Sequence, residues 1–177
     1  ADKENAPQLL RGTGEDKTHL CIVLTSDRGL CGGFNTNIIK KAKAYFKQIS
    51  SKGKNLKIIT VGSKGYDQLK RFYKHKIVEK ISFKDSKTIN YLDAEKVGQM
   101  IINKFEKKEF DVCVIFYNQF KNVITQIPQE QQIIPLKDSK EESSTEDKYE
   151  FEPDEDEILN NLLPKNISTQ IFKAMLE

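Results

Sequence analysis

A chain of 177 residues with 31% charged and 37% hydrophobic residues and a formal net charge of +3 suits one domain, large enough to build a core without disulfides or a structural metal. No apolar run approaches the roughly 20 residues that carry a helix across a bilayer, so a membrane-spanning chain is excluded and a soluble one expected. Cys21, Cys31 and Cys113 stand in or beside apolar strand patterns without C-x-x-C spacing, which predicts buried thiols in a reducing compartment and argues against zinc or any other metal site.

The small net charge conceals a segregation. Between Lys40 and Lys121 there are 20 Lys/Arg against 8 Asp/Glu, and between Asp138 and Glu157 there are 2 against 11. A lysine-rich stretch ordinarily coats solvated helix faces. It also suits an acidic partner. Nucleic acid is the general alternative, but the lysines spread over several predicted helices without interleaved aromatics, and no RNP, KH or zinc-finger pattern occurs. An acidic protein surface fits better, and no nucleic acid is expected.

Residues 1–17 are polar, contain Pro7, Gly12 and Gly14 and show no periodicity, which predicts a poorly ordered lead-in. This stretch has neither the basic start and apolar centre of a signal peptide nor the Arg/Ser character of a transit peptide. His19 to Leu24 is then a continuous apolar run, the pattern of a strand buried on both faces of a parallel or mixed sheet. Phe34, Ile38, Ile39, Ala42, Tyr45, Phe46 and Ile49 follow at steps that line one face of a helix. Between the two lie Gly29, Gly32 and Gly33, which allow the backbone to turn sharply from strand to helix.

A strand, a glycine loop and a helix invite two enzymatic readings. A phosphate loop would place anions on the helix N-terminus. The spacing here, G-x-x-G-G with no lysine following, matches neither G-x-G-x-x-G nor G-x-x-x-x-G-K-[ST], so no nucleotide is expected to bind and no cofactor is implied. The second reading is a nucleophile elbow, because Gly29-Leu30-Cys31-Gly32-Gly33 matches G-x-[SC]-x-G and a thiol at a helix N-terminus has its pKa lowered. The only downstream histidine is His75, and too little chain precedes the loop for the strands that normally lie before an elbow. A cysteine-dependent hydrolase using Cys31 stays open as the alternative, beside a plain tight turn.

Further along, Leu56 to Gly62 is a second buried-type strand, and Ser63-Lys64-Gly65 turns into a short helix from about Tyr66 to Phe72. Ile77 to Phe83 alternates and predicts an outer strand whose Ile77, Glu79, Ile81 and Phe83 share one face. Asp93 is a candidate helix cap, followed by Ala94, Val97, Gly98, Ile101 and Phe105 in one stripe. Asp111 to Tyr117 is the third buried strand. Repeated strand–helix alternation implies an α/β fold: a doubly wound, mostly parallel twisted sheet with helices on both faces, of Rossmann-like topology.

Val123 to Ile127 alternates before Pro128, and Ile133-Ile134-Pro135-Leu136 follows, which suggests an edge strand or a strand with a bulge. Residues 139–148 lack an apolar anchor and are expected to be mobile. Asp154 to Glu157 sets four acids at the start of a helix, where they complement its dipole. The apolar stripe of that helix, Leu159, Leu162, Leu163, Ile167, Ile171, Met175 and Leu176, has no partner in view within the domain. The predicted organisation is therefore a lead-in (1–17), an α/β domain (18–153) with an acidic insert (139–148), and the beginning of a C-terminal helix (154–177).

Thr25 to Asn37, TSDRGLCGGFNTN, resembles the signature of the gamma subunit of rotary proton-translocating ATP synthases, where a strand ends in S-D-R-G-L-[AC]-G-G-[FL]-N before a helix. Tyr149-Glu150-Phe151-Glu152-Pro153, then Ile158 to Leu163, then Gln170 to Glu177, resembles the family's Y-x-x-E-P segment leading into its long C-terminal helix. The likeness runs from about Leu20 to the end of the chain.

This resemblance implies a non-catalytic central-stalk domain in the rotor, with two long terminal helices forming a coiled coil inside the catalytic head. The long N-terminal helix has no counterpart in residues 1–17, so the chain matches the family's central domain. The implied partners are the alpha and beta subunits, the epsilon subunit (delta in mitochondria) and the membrane c-ring. The implied location is peripheral, on the cytoplasmic face of the bacterial inner membrane or the matrix face of the mitochondrial one. Asp27, Arg28, Gly29, Leu30, Cys31, Gly32 and Gly33 match the loop that faces the acidic lower loops of the beta subunits. Arg28 is the candidate electrostatic contact, its other possible role being a salt bridge to Asp27 or a helix carbonyl. Tyr149, Glu150, Glu152 and Pro153 match the foot that faces epsilon and the ring. The short cysteine-pair insertion of the chloroplast type is not found in the sequence.

Overall fold

The computed structural model describes residues 9, 11–25, 32–83, 90–120, 126–135, 167–169 and 171–172. Strands β1 (Thr18–Leu24), β2 (Asn55–Val61), β3 (Ile77–Ile81), β4 (Val112–Phe120) and β5 (Gln126–Ile134) form one sheet in the order β3-β2-β1-β4-β5. β1 pairs parallel with both β2 and β4, β2 pairs parallel with β3, and β5 runs antiparallel along β4. The central strand is the one whose apolar run is continuous. From His19 to Leu24 no residue of β1 is more than 7% exposed, as a strand covered on both faces requires.

Helices α1 (Gly32–Ser51), α2 (Ser63–Tyr73) and α3 (Tyr91–Glu106) make the crossovers. The chain steps outward from β1 to β2 to β3, then returns across the sheet to β4. Parallel crossovers keep one hand, so reversing the direction of travel moves the connecting helix to the opposite face. The core divides accordingly. On one face Cys21, Val23, Ile58, Val114 and Phe116 meet Ile38, Ala42, Phe46 and Ile49 of α1 and Leu69 of α2. On the other, Leu20, Ile22, Ile59, Cys113 and Ile115 meet Ala94, Val97, Ile101 and Phe105 of α3. The doubly wound architecture expected from the alternation is the one observed, with β5 as its antiparallel edge. No helix among the described residues is long and apolar enough to cross a membrane.

Several details depart from the sequence reading. β3 carries a register shift opposite Ile58 and Ile59, which pair with Ile77 and Glu79. Val78 is the extra residue and is 42% exposed. A bulge moves the residues after it to the other side of the pleat, so Ile77 packs with the α1–α2 layer while Ile81 and Phe83 pack with α3. The same device operates in β5, where Cys113 pairs with Ile134 and Val114 with Gln132. Consecutive Ile133 and Ile134 are thereby both buried in one core. β5 also passes through Pro128, opposite Asn118; an edge strand tolerates the missing N–H.

The cap of α3 is Asn90 rather than Asp93. Asp93 N–H donates to the Asn90 side chain at 3.2 Å, and Asn90 N–H donates back to the Asp93 carboxylate at 3.1 Å, forming a capping box. The late apolar stripe does find an internal partner in Ile167 and Ile171, which are buried against α3 and the sheet. Leu9 enters the same core. The acidic insert 139–148 and residues 154–166 lie outside the described residues.

Residues 11–17, expected to be loose, are tied down through Asp111. Its carboxylate accepts from the Thr13 hydroxyl at 2.8 Å, Lys17 N–H at 2.9 Å and Thr18 N–H at 3.0 Å. Asp16 adds a second tie, with Lys54 Nζ at 2.6 Å and a contact to the His19 ring; the Lys54 bond is the main reason its pKa is lowered. At the other end of the sheet, Gly62 sits at φ +111°, and a Cβ there would lie 2.1 Å from the Thr25 carbonyl oxygen. Its N–H donates to Ile81 O at 2.8 Å, so the turn after β2 binds the ends of three adjacent strands.

Two expectations follow from these ties. Burial disfavours the Asp111 anion, but the bonds from Thr18, Thr13 and Lys17 outweigh it and hold its pKa below the usual carboxylate value. The resulting stability is present above the unfolded pKa of about 3.9 and is lost as pH falls through the folded value. Asp111→Asn should therefore cost about 1–3 kcal/mol at pH 7, a deficit that urea unfolding should show shrinking below about pH 4. A deficit equally large at pH 2 would mean the carboxylate charge is not the anchor. Gly62→Ala should cost on the order of 2–4 kcal/mol through backbone strain and the clash with Thr25, read as a lowered urea midpoint at unchanged slope.

Candidate functional site

The loop between β1 and α1 opens at the carboxyl end of the central parallel strand. β1 is also where the direction of winding reverses, since β2 lies on one side of it and β4 on the other. Such a switch point is where doubly wound folds leave a crevice beyond the strand ends. The loop's position is thus set by topology.

Thr25 is its upstream anchor. The Thr25 N–H donates to Val61 O at 2.9 Å, its hydroxyl oxygen accepts from Gly65 N–H at 2.8 Å, and its hydroxyl approaches Gly62 O at 3.4 Å. A Cβ on Gly65 would stand 2.8 Å from that same hydroxyl, so glycine is what lets α2 start this close to the loop. The downstream anchor is α1, held by buried Ile38, Ile39, Ala42, Phe46 and Ile49. Asp27, Arg28, Gly29, Leu30 and Cys31 lie outside the described residues. Gly32 and Gly33 are placed in the first turn of α1. Tyr149, Glu150, Glu152 and Pro153, the second predicted site, also lie outside the described residues.

The structure separates both described ends of the loop from the two histidines. His75 is exposed in the turn Lys74–Lys76, immediately before β3. His19 is buried near the start of β1, with Nδ1 2.7 Å from the Tyr45 hydroxyl and Nε2 against Asp16. Both therefore sit at the amino ends of parallel strands, whereas Leu24 and Gly32, which flank the loop, belong to the carboxyl end. Seven residues of strand span roughly 20 Å at about 3.3 Å each. His75 and Gly32, the described residue next to position 31, therefore stand at opposite ends of the sheet, which gives no support to the elbow reading; Cys31 itself lies outside the described residues. The other two thiols are structural. Burial pushes Cys21 and Cys113 well above the ordinary thiol range, leaving them protonated.

The surface charge follows the layers. α1 carries Lys40, Lys41, Lys43 and Lys47 with no Asp or Glu, and α2 adds Lys64, Lys70 and Arg71 against Asp67. Lys70 Nζ lies 5.6 Å from the centre of the Tyr66 ring, and Lys80 Nζ of the neighbouring β3 lies 4.3 Å from it, so one ring of α2 holds both cations in place. The helical layer that starts at the candidate loop is thus the basic one.

Sequence reasoning missed Thr25 as an anchor, although it stands at the head of the loop motif. A Thr between a buried strand and a glycine loop, with Gly62 and Gly65 spaced around a second turn, was the available signal. It also took Gly98 as one member of an apolar stripe, whereas an ideal Cβ there would lie 2.5 Å from Ser168 Oγ.

Comparison with known proteins gives a consistent result. The family model described as ATP synthase matches residues 1–177. The chain is 85% identical over its whole length to the ATP synthase gamma chain of Pelagibacter ubique, covering 61% of that protein. It is 49% identical to the ATP synthase gamma chain of Roseobacter denitrificans over 98% of its own length and 60% of the relative. The chain therefore spans about three-fifths of the curated relatives it matches. Among solved structures, it resembles a chain of the Tetrahymena thermophila mitochondrial ATP synthase central stalk and c-ring, with a TM-score of 0.70 at 21% identity, covering 99% of this chain and 76% of that one. A chain of the Euglena gracilis mitochondrial ATP synthase rotor aligns with a TM-score of 0.66 at 16% identity, covering 99% of this chain and 63% of that one. These structural likenesses speak for the fold. The chain belongs to the ATP synthase family, and the curated relatives it matches there are gamma chains.

Proposed function

We propose that this chain is the central domain of an ATP synthase gamma subunit, a non-catalytic part of the rotor that carries torque between a membrane ring and a catalytic head. The observation that carries this reading is the 85% identity to a gamma chain across the whole sequence. The fold supports it physically. Torque transmission asks for a stiff body and for firm attachment of the terminal segments, not for a reactive group. A sheet packed on both faces resists deformation, because a close-packed interior transmits strain. Leu9 at one end of the chain and Ile167 and Ile171 at the other are buried in the same core.

Its partners are then the alpha and beta subunits of the head, the epsilon subunit and the c-ring, with no nucleotide held by the domain itself. The protein sits peripherally, on the cytoplasmic face of a bacterial inner membrane; the bacterial gamma-chain relatives favour that over the mitochondrial matrix face. Asp27, Arg28, Gly29, Leu30, Cys31, Gly32 and Gly33 form the loop presented to the beta subunits, and Arg28 makes the electrostatic contact. Tyr149, Glu150, Glu152 and Pro153 form the foot toward epsilon and the ring. Thr25 and α1 are held by the fold on either side of the loop, which fixes where its two ends leave the domain and suits a segment that meets a partner.

Arg28→Glu in the full-length subunit, reconstituted into the assembled enzyme, tests the loop's role. Proton pumping per ATP hydrolysed should fall, because a partly desolvated charge-assisted contact of about 1–3 kcal/mol becomes repulsive. Domain stability should change by no more than about 0.5 kcal/mol, as for an exposed loop charge. Unchanged coupling would reject the contact. Loss of cooperative unfolding would assign Arg28 to the fold instead.

A further inference from the structure

The C-terminal helical residues meet α3 at two keyed points. Tyr91, in the first turn of α3, packs edge-on against Phe172 with ring centroids 5.6 Å apart and planes at 79°. Two turns further along α3, Gly98 faces Ser168, which is only 4% exposed. An early α3 residue thus meets the later residue of the terminal segment, and the reverse, so the two helices cross in opposite directions. Two contacts along a line fix both the rotation and the axial position of one helix on another, where a single contact fixes neither.

Gly98 sets how close that crossing is. A Cβ on it would lie 2.5 Å from Ser168 Oγ and 3.4 Å from Ser168 Cα. The hydroxyl is a rotatable arm and could swing aside. The Cα is backbone, and anything larger than a methyl group at position 98 has to push the terminal helix away from the sheet. Ile167 and Ile171, 1% and 0% exposed, would leave their core positions with it.

We propose that Gly98 is a positioning residue: its missing side chain seats the C-terminal helix on α3, so that load on that helix passes into the sheet without slippage. The inference rests on the rotor reading above. It adds the place where the terminal helix is joined to the body, a place that neither the glycine loop nor the foot supplies.

The test is an exchange of side chains across the crossing, made in the full-length subunit within the assembled enzyme in proteoliposomes. Gly98→Ser puts a second hydroxymethyl into an occupied space, and Ser168→Gly alone empties it. Combining the two moves the same group from one helix to the other and leaves composition and summed helix propensity unchanged. Proton pumping per ATP hydrolysed should drop several-fold in Gly98→Ser and more in Gly98→Leu, while hydrolysis continues. The exchange variant should return to the native ratio. Spin labels on the exposed positions Glu95→Cys and Thr169→Cys should report a longer or broader distance in Gly98→Leu and the native distance in the exchange variant.

Native coupling in Gly98→Leu with an unmoved label distance overturns the inference. So does an exchange variant no better than Gly98→Ser, including one that shares its failure to assemble. A native subunit that restores no proton pumping to a complex lacking it would instead defeat the rotor reading itself, which separates the two failures.

Discussion

Parallel pairing of β1 with β2 on one side and β4 on the other is the constraint on which the rest of this structure depends. His19 to Leu24 can be apolar on both sides only because two helical layers cover the sheet. Both layers exist because the chain reverses its direction of winding at β1. The amino end of β1 receives the ties from Asp111 and Asp16, and its carboxyl end is where Thr25 is bound into the β2–α2 turn. A change that loosened β1 would release the lead-in, the candidate loop and the partition of the core together.

The two faces divide the work. One carries α1, which begins at the candidate loop, and α2, and both helices are rich in lysine. The other carries α3 and takes in both terminal segments through Leu9, Ile167 and Ile171. The lysine-rich surface and the seat of the terminal residues therefore lie on opposite faces of the sheet. Gly62 and Gly98 serve this arrangement in the same way, since each removes a side chain where two pieces of backbone approach.

Much of the fold was legible because its signals are local. The apolar runs at β1, β2 and β4 and the stripes of α1 and α3 repeat with the period of the element itself, and the proline in β5 pointed to an edge. What escaped notice depends on distant partners. Ile77 and Ile81 fall on opposite faces because of a bulge defined only by pairing with β2. Asp111 read as the start of a strand, yet its role is set by Thr13 and Lys17, more than 90 residues earlier. Gly98 was counted as apolar although what matters there is empty space. The partner-facing residues stand apart. Gly29, Gly32 and Gly33 announce a sharp turn, but no spacing rule says what Arg28 or Tyr149 touches. Their assignment came from resemblance, and geometry contributes only the rigid anchors on either side of the loop.

The central claim is that this domain turns as one body with the rotor. The most direct measurement is single-molecule rotation of the assembled catalytic head, fixed to a surface, with a bead attached to the domain at Lys74→Cys, an exposed position in the turn before β3. Within this chain Cys31→Ser would leave Lys74→Cys as the labelling site, since Cys21 and Cys113 are buried. The account predicts unidirectional rotation of the bead with ATP hydrolysis, slowing as ATP is depleted. Sustained hydrolysis under a stationary bead would contradict it.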